Sequence, residues 1–152
     1  MDEIICTANH KNIWLKSMNS THEHLLLQWQ SEAGNRNYSR KAAIPTKAEH
    51  KKWFLNSLND SGRRMWVVLF KGEECGYVRL DDLGDSEEVS VLISKKFQGL
   101  GLAYAAIDSL KLITLYKKID AEVVAENKAS CLLFEKLKFG KLSNNRYQWI
   151  KS

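Results

Sequence analysis

From Met65 to Ile93 the chain offers no place for a helix. Met65-Trp66-Val67-Val68-Leu69-Phe70 is an unbroken apolar run, short enough for a fully buried strand. Lys71-Gly72-Glu73-Glu74 has turn composition, and Cys75 to Leu80 reads as the returning strand of a hairpin. Asp81 to Asp85 is a second turn, and Glu88-Val89-Ser90-Val91-Leu92-Ile93 is a third strand. Strands joined by turns this short lie antiparallel and side by side. A three-strand meander therefore forms the centre, and whatever flanks it must pack on it.

The flanks carry the helical period. Ile13 to Met18 reads as a strand, and Ser20 with Glu23 has capping-box spacing, opening a helix through His24, Leu27 and Gln28 to about Ser31. Gly34 to Ser39 is loop-like, polar and partly aromatic. Pro45 precedes a second capping box, Thr46 to Glu49, and a helix carrying His50, Trp53, Phe54 and Leu58. Beyond Ile93, Ala103, Ile107, Leu110 and Ile113 fall at helical spacing, in a helix predicted to begin near Gln98. Ile119 to Ala125 is a further strand, Asn127 caps a helix through Leu133 and Leu137, and Tyr147 to Ile150 is a closing strand. The order β-α-α-β-β-β-α-β-α-β predicts a mixed α/β (α+β) sheet. With 152 residues, one proline and no repeat, a single domain over 1–152 is expected.

Composition narrows the function classes. The N-terminus lacks the basic and apolar regions of a signal peptide, and no apolar run reaches the roughly 20 residues that span a bilayer. The three cysteines, Cys6, Cys75 and Cys131, are far apart and form no CxxC pair, which suits a cytoplasmic location with reduced thiols and no membrane partner. The net charge of +5 comes from dispersed basic pairs rather than one stripe, so nucleic acid is not the expected partner. His22 and His24 cannot share a helix face and no HExxH is present, so no metal is expected.

One segment carries chemistry. In Lys95-Lys96-Phe97-Gln98-Gly99-Leu100-Gly101-Leu102-Ala103, two glycines separate a strand from a helix. A helix start leaves N–H groups unpaired and bears positive partial charge, and glycine lets a ligand approach the backbone. Those properties make an anion site, most naturally for a pyrophosphate; on this pattern alone a plain strand-to-helix turn is equally consistent. The segment is neither a Walker A motif nor a GxGxxG fingerprint.

Gln98-x-x-Gly101-x-Ala103 resembles the Gln/Arg-x-x-Gly-x-Gly/Ala acetyl-CoA motif of the GNAT N-acetyltransferase superfamily. Glu122 to Ser130, followed by Leu133-Phe134-Glu135-Lys136-Leu137-Lys138-Phe139, is similar to a second segment of that family. The resemblance runs from about Ile13 onward. It implies a GNAT fold: a mostly antiparallel sheet with two splayed strands and about four flanking helices. Acetyl-CoA would lie in the splay, pairing with the backbone of Val91, Leu92 and Ile93. Its pyrophosphate would meet the N–H groups of Gln98, Gly99, Leu100, Gly101, Leu102 and Ala103, with Asn127, Ser130 and Phe134 along the pantetheine.

Acetyl transfer needs a neutral amine, a polarised thioester carbonyl and a proton for the departing thiolate. Glu122 aligns with a glutamate that some relatives use as base, and Glu88 is the alternative. Many relatives carry a tyrosine proton donor where this chain has Phe134. That leaves Ser130, an ordered water or unassisted departure.

Arg36-Asn37-Tyr38-Ser39 with Glu49-His50 and Trp53-Phe54 resembles the branch acting on nucleotide-linked amino sugars, of which the pseudaminic acid pathway enzyme is an example. Arg36, Tyr38, Ser39, His50, Trp53 and Arg79 would then bind the acceptor, offering cations for a diphosphate and aromatic rings for stacking. The resemblance implies N-acetylation of a nucleotide amino sugar for surface glycans. A protein N-terminal or lysine acetyltransferase and a non-catalytic coenzyme-A-binding module are the alternatives, and a homodimer is an allowed assembly.

Overall fold

The computed structural model of the chain describes residues 4–6, 10–32, 35 and 43–152. Its described part is an eight-stranded sheet between two pairs of helices. The strands are β1 (Ile4–Cys6), β2 (Ile13–Ser17), β3 (Arg63–Phe70), β4 (Glu73–Asp82), β5 (Glu87–Ile93), β6 (Lys118–Glu122), β7 (Gly140–Ser143) and β8 (Arg146–Ile150), ordered β1-β2-β3-β4-β5-β6-β8-β7. Every neighbouring pair is antiparallel except β5 and β6. The helices are α1 (Glu23–Ser31), α2 (Lys47–Leu58), α3 (Leu102–Leu110) and α4 (Lys128–Lys136).

Strand alternation assigns the two faces. On β3, Trp66 and Val68 point into a core shared with Ala105, Ile107 and Leu110 of α3 and with Phe134 and Leu137. Met65 and Val67 point the other way, into a second core with Leu26 and Trp29 of α1 and Phe54 of α2. The central strands are buried on both faces, which is why Met65 to Phe70 reads as a continuous apolar run rather than an alternating one.

The meander forms as expected, with β4 extending to Asp82. Four local readings change. The first helical segment is capped by Asn19 rather than Ser20: its side chain accepts from the Thr21 N–H at 2.9 Å, and His22 Nδ1 accepts from the Asn19 N–H at 3.0 Å. The Thr46–Glu49 capping box is present, at 2.9 and 3.1 Å. α3 begins at Leu102, not near Gln98, because Gly101 stands in the left-handed region at φ 79° and cannot continue a right-handed helix backwards. β6 ends at Glu122, where its ladder with β8 ends, rather than at Ala125. The short edge strands β1 and β7 had no distinct sequence signal.

Two buried features hold the frame. The Glu87 carboxylate, 1% exposed, accepts from Arg64 Nη2 at 2.9 Å, Thr114 Oγ1 at 3.0 Å and the Leu115 N–H at 2.8 Å, tying the α3–β6 connection to β5. Its loss of water is offset by those donors. Gly76 in β4 faces Ile93 across the ladder, and a Cβ there would overlap the Leu92 carbonyl oxygen and come within 2.9 Å of Ile93 Cα. Glycine is required by close approach at this position.

Candidate active site

The site grows from one irregularity in the sheet. β5 is paired along its whole length with β4, but with β6 only at Glu87↔Ile119 and Glu88↔Asp120. Past Glu88 the two parallel strands part, and β6 continues against β8. The β6-facing backbone edge of β5 at Val91 and Ile93 is thereby left without a ladder partner among the described residues. An extended ligand can bond to such an edge as an added strand would.

The same strand leads into the glycine segment. After a 3₁₀ turn over Lys95–Phe97, Gly99 and Gly101 both stand at positive φ, 81° and 79°. A Cβ at either would meet nothing within 4 Å, so glycine is needed there for its conformation and not for room inside the protein. The first intrahelical bond of α3 is Ala105 N–H to Gly101 O at 3.1 Å. The N–H groups from Gly99 through Tyr104 have no acceptor among the described residues, and they gather at the positive end of α3. Gln98 differs: its N–H donates to Lys95 O at 3.4 Å, and its side-chain Nε2 donates to Ile93 O at 2.9 Å. It shapes the turn, while Tyr104 joins the available donors.

A third wall comes from α4. Asn127 is its N-cap, accepting from the Ser130 N–H at 3.2 Å. Ser130 is half-buried on the first turn. Phe134 is a core residue, 5% exposed, stacked on Tyr147 at 6.3 Å and edge-on to Phe139 at 5.0 Å. Tyr147, buried on β8, was not expected at this wall. Its hydrogen bond with Cys131, and then burial, raise the pKa of its hydroxyl, so it stays protonated. Asp108 of α3 and Lys111, just past its end, form an ion pair at 3.4 Å.

The candidate bases meet at one arginine. Glu88, Asp120 and Glu122 share the face covered by α1 and α2, and Arg146 lies among them. Its Nη1 is 3.1 Å from Glu88 Oε2 and 3.7 Å from Glu122 Oε2, and its Nη2 is 3.2 Å from Asp120 Oδ2. Asp120 is further satisfied by Gln148 Nε2 at 2.7 Å and Ser86 Oγ at 3.2 Å. Glu88 is the better shielded carboxylate, 13% exposed against 30% for Glu122. The cluster sits where β5 and β6 part. Neither Arg146 nor Asp120 was expected; a charged residue at a buried strand position is the one sequence signal Asp120 gave.

Beside it, on the same face, Trp53 is flanked by two guanidinium groups, Arg63 at 5.8 Å and Arg79 at 5.7 Å from the ring centre. Both arginines hold Asp81, at 2.7 and 3.2 Å. His50 is 1% exposed, between Trp53 at 5.7 Å and Phe54 at 6.2 Å, with Glu23 Oε1 3.9 Å from its Nδ1. Arg36, Tyr38 and Ser39 lie outside the described residues. A cleft of about 280 Å³, lined by Ser17, Ser57, Arg63, Arg64 and Trp66 among others, opens near the start of β3. Among the described residues no group of His, Cys, Asp and Glu is arranged to hold a metal ion, and no helix is long and apolar enough to cross a membrane.

Residues 12–140 match the model of the acetyltransferase (GNAT) domain family. Several solved structures share the fold. A RimL ribosomal-protein alpha-N-acetyltransferase in complex with coenzyme A aligns at TM-score 0.81 and 15% identity over 98% of each chain. A spermidine N-acetyltransferase from Vibrio cholerae, in complex with coenzyme A and spermine, aligns at 0.77 and 20% over 92% of each. A microcin self-immunity acetyltransferase with acetyl-CoA and AMP aligns at 0.75 and 15% over 93% of each. No curated protein matches the chain by sequence. Splayed strands, glycine turn and family match converge: the chain belongs to the GNAT acetyltransferase family and is an acetyl-CoA-dependent N-acetyltransferase.

Proposed function

We infer that the acceptor is the amino group of a nucleotide-linked amino sugar, acetylated by direct attack on the thioester. The observation carrying this reading is the polarity of the acceptor face. Around Trp53, among the described residues, Arg63 and Arg79 share the single carboxylate Asp81, a positive excess beside an aromatic ring. Next to it, Glu88, Asp120 and Glu122 gather around the guanidinium of Arg146. Asp81 and Glu88 are partners across β4 and β5, so the two zones adjoin. An acceptor with a diphosphate at one end and an amine at the other suits both, with the ring available for stacking.

Acetyl-CoA supplies an activated acetyl group. Val91 to Ile93 would bind its pantetheine through the backbone, Gly99 to Tyr104 its pyrophosphate, and Asn127 and Ser130 the arm from the far side. An incoming alkylammonium must lose a proton before attack. Glu122, the more exposed carboxylate, is the base we assign, with Glu88 as the alternative. The amine nitrogen forms the new C–N bond, the C–S bond breaks, and the thiolate leaves. The second proton of the nitrogen passes to the thiolate, with Ser130 as the hydroxyl we assign to relay it. Phe134 offers none.

The three carboxylates around Arg146 also favour a second reading, in which a wholly cationic amine is the acceptor. Structural neighbours are named for a protein alpha-amine and for spermidine. The test is coenzyme A release from acetyl-CoA with UDP- and TDP-linked amino sugars, polyamines and peptides. Turnover of a nucleotide amino sugar above the rest is expected. Turnover of peptides or polyamines alone would sink the first reading in favour of the second.

A further inference from the structure

We propose that Glu32 and Asn35, at the end of α1, are positioning residues that preset the glycine turn for the coenzyme's pyrophosphate. This rests on the coenzyme reading above. Glu32 lies more than sixty positions from the turn in sequence, yet both its carboxylate oxygens are spent on it. Oε2 accepts from Ser94 Oγ at 3.0 Å and Oε1 from the Lys95 N–H at 3.0 Å. Asn35 Nδ2 donates to that same Oε1 at 3.0 Å and to Trp29 O at 2.9 Å, while its Oδ1 accepts from Gln98 Nε2 at 3.1 Å. Gln98 Nε2 in turn reaches Ile93 O. These bonds fasten both ends of the Ser94–Gln98 turn to the end of one helix.

That helix is itself fixed, since Leu26 and Trp29 are buried in the second core. The turn is not fixed by its own packing: Lys95, Lys96, Gln98, Gly99 and Leu100 are largely exposed, and Phe97 is half-buried. Two glycines in the left-handed region have the widest conformational choice of any residue. Without an external hold, the N–H groups of Gly99 to Tyr104 would have to be gathered when the ligand arrives. Ordering a residue's backbone costs conformational entropy. With the hold, that ordering is complete before binding.

Electrostatics alone would give Glu32 the opposite effect. A carboxylate near an anion site repels a diphosphate, and its removal should tighten binding. Here three donors surround the carboxylate and disperse its charge, so the loss of geometry outweighs the relief of repulsion. The sign of the change therefore reports which role Glu32 has.

The test compares coenzyme A with pantetheine, which ends before the pyrophosphate, by calorimetric titration of the whole chain. Glu32→Ala is expected to weaken coenzyme A about 10-fold, or about 1.4 kcal/mol, and to leave pantetheine unchanged. Asn35→Ala should lose about 3-fold in the same selective way. Glu32→Gln keeps an oxygen for Lys95 and a donor for Ser94, and should restore the native ratio. Tighter coenzyme A binding in Glu32→Ala, an equal loss for both ligands, or no loss would each overturn the proposal. So would a loss in Glu32→Gln equal to that in Glu32→Ala. If the native chain binds no coenzyme A, the coenzyme reading itself falls, and this proposal with it.

Discussion

The proposed coenzyme cradle and the proposed acceptor face adjoin, yet they are made of different material. The cradle is main chain: the strand edge at Val91 and Ile93, which lacks a ladder partner among the described residues, and N–H groups from Gly99 to Tyr104. The acceptor face is side chain, with Trp53 from α2, Arg63 from β3, Arg79 and Asp81 from β4, Glu88 from β5, Asp120 and Glu122 from β6 and Arg146 from β8. A backbone site tolerates change in most side chains and is sensitive to conformation. A side-chain site is the reverse. One fold can thus keep its donor and vary its acceptor, as the neighbours named for different amines do.

Substitutions test that division from both sides. The largest effect is expected at Glu122. Loss of a general base typically costs 10²- to 10⁴-fold, and Glu122→Gln should lower kcat about 100-fold while coenzyme A affinity is unchanged. Glu88→Gln, made alongside, should lose less; a greater loss in Glu88→Gln than in Glu122→Gln would transfer the role of base to Glu88. Steady-state kinetics over pH 6–9 would read both.

Backbone changes come next. Gly76→Ala forces a Cβ into the Leu92 carbonyl and Ile93. Overpacking of this kind costs about 1–3 kcal/mol, seen as a lower unfolding midpoint, and should weaken coenzyme A because β5 carries the docking edge. Gly101→Ala meets no atom but must hold φ near 79°. It should cost about 1 kcal/mol of stability and weaken coenzyme A several-fold, leaving the amine's KM unaltered. A selective rise in the amine's KM would contradict the division of labour.

The smallest effect concerns the dryness of the cradle's wall. Cys75, on β4 opposite Ser94, is fully buried; burial, and then the Glu73 charge, push its thiol from 9.0 up to about 12. A pKa raised by folding means that folding holds the proton. The stabilisation is complete below pH 9 and is lost as pH rises from 9 towards 12. Native protein at pH 9 should therefore leave Cys75 unmodified by iodoacetamide, with labelling only on unfolding. Rapid native labelling would show that water reaches the wall.

The same difference explains what the sequence disclosed. Gly99 and Gly101 are legible because a left-handed turn admits few other residues, and Asn127 because an N-cap does. The meander was legible from its period. The Arg146 cluster was not: its members are separated in sequence, and only the ladder registers Glu88↔Asp120 and Glu122↔Arg146 bring them together. Glu32 was equally silent, since nothing local distinguishes a helix-end glutamate that bonds a turn sixty residues away from one facing solvent. His50 had the composition of a surface ligand, but its place between Trp53 and Phe54 puts it inside. The helix boundary near Gln98 failed because one left-handed residue decides it.

The parted strands have a further consequence for the life of the protein. Sheet edges are usually kept short, charged or covered, because an open row of N–H and C=O groups recruits other chains. This sheet carries such a row in its interior, along β5 between β4 and the departing β6. A ligand that fills it acts as a removable strand. At 100 times its dissociation constant, such a ligand stabilises the folded chain by about 2.7 kcal/mol. Starvation for the coenzyme would then lower the persistence of the protein as well as its rate, coupling abundance to coenzyme A supply without a dedicated sensor.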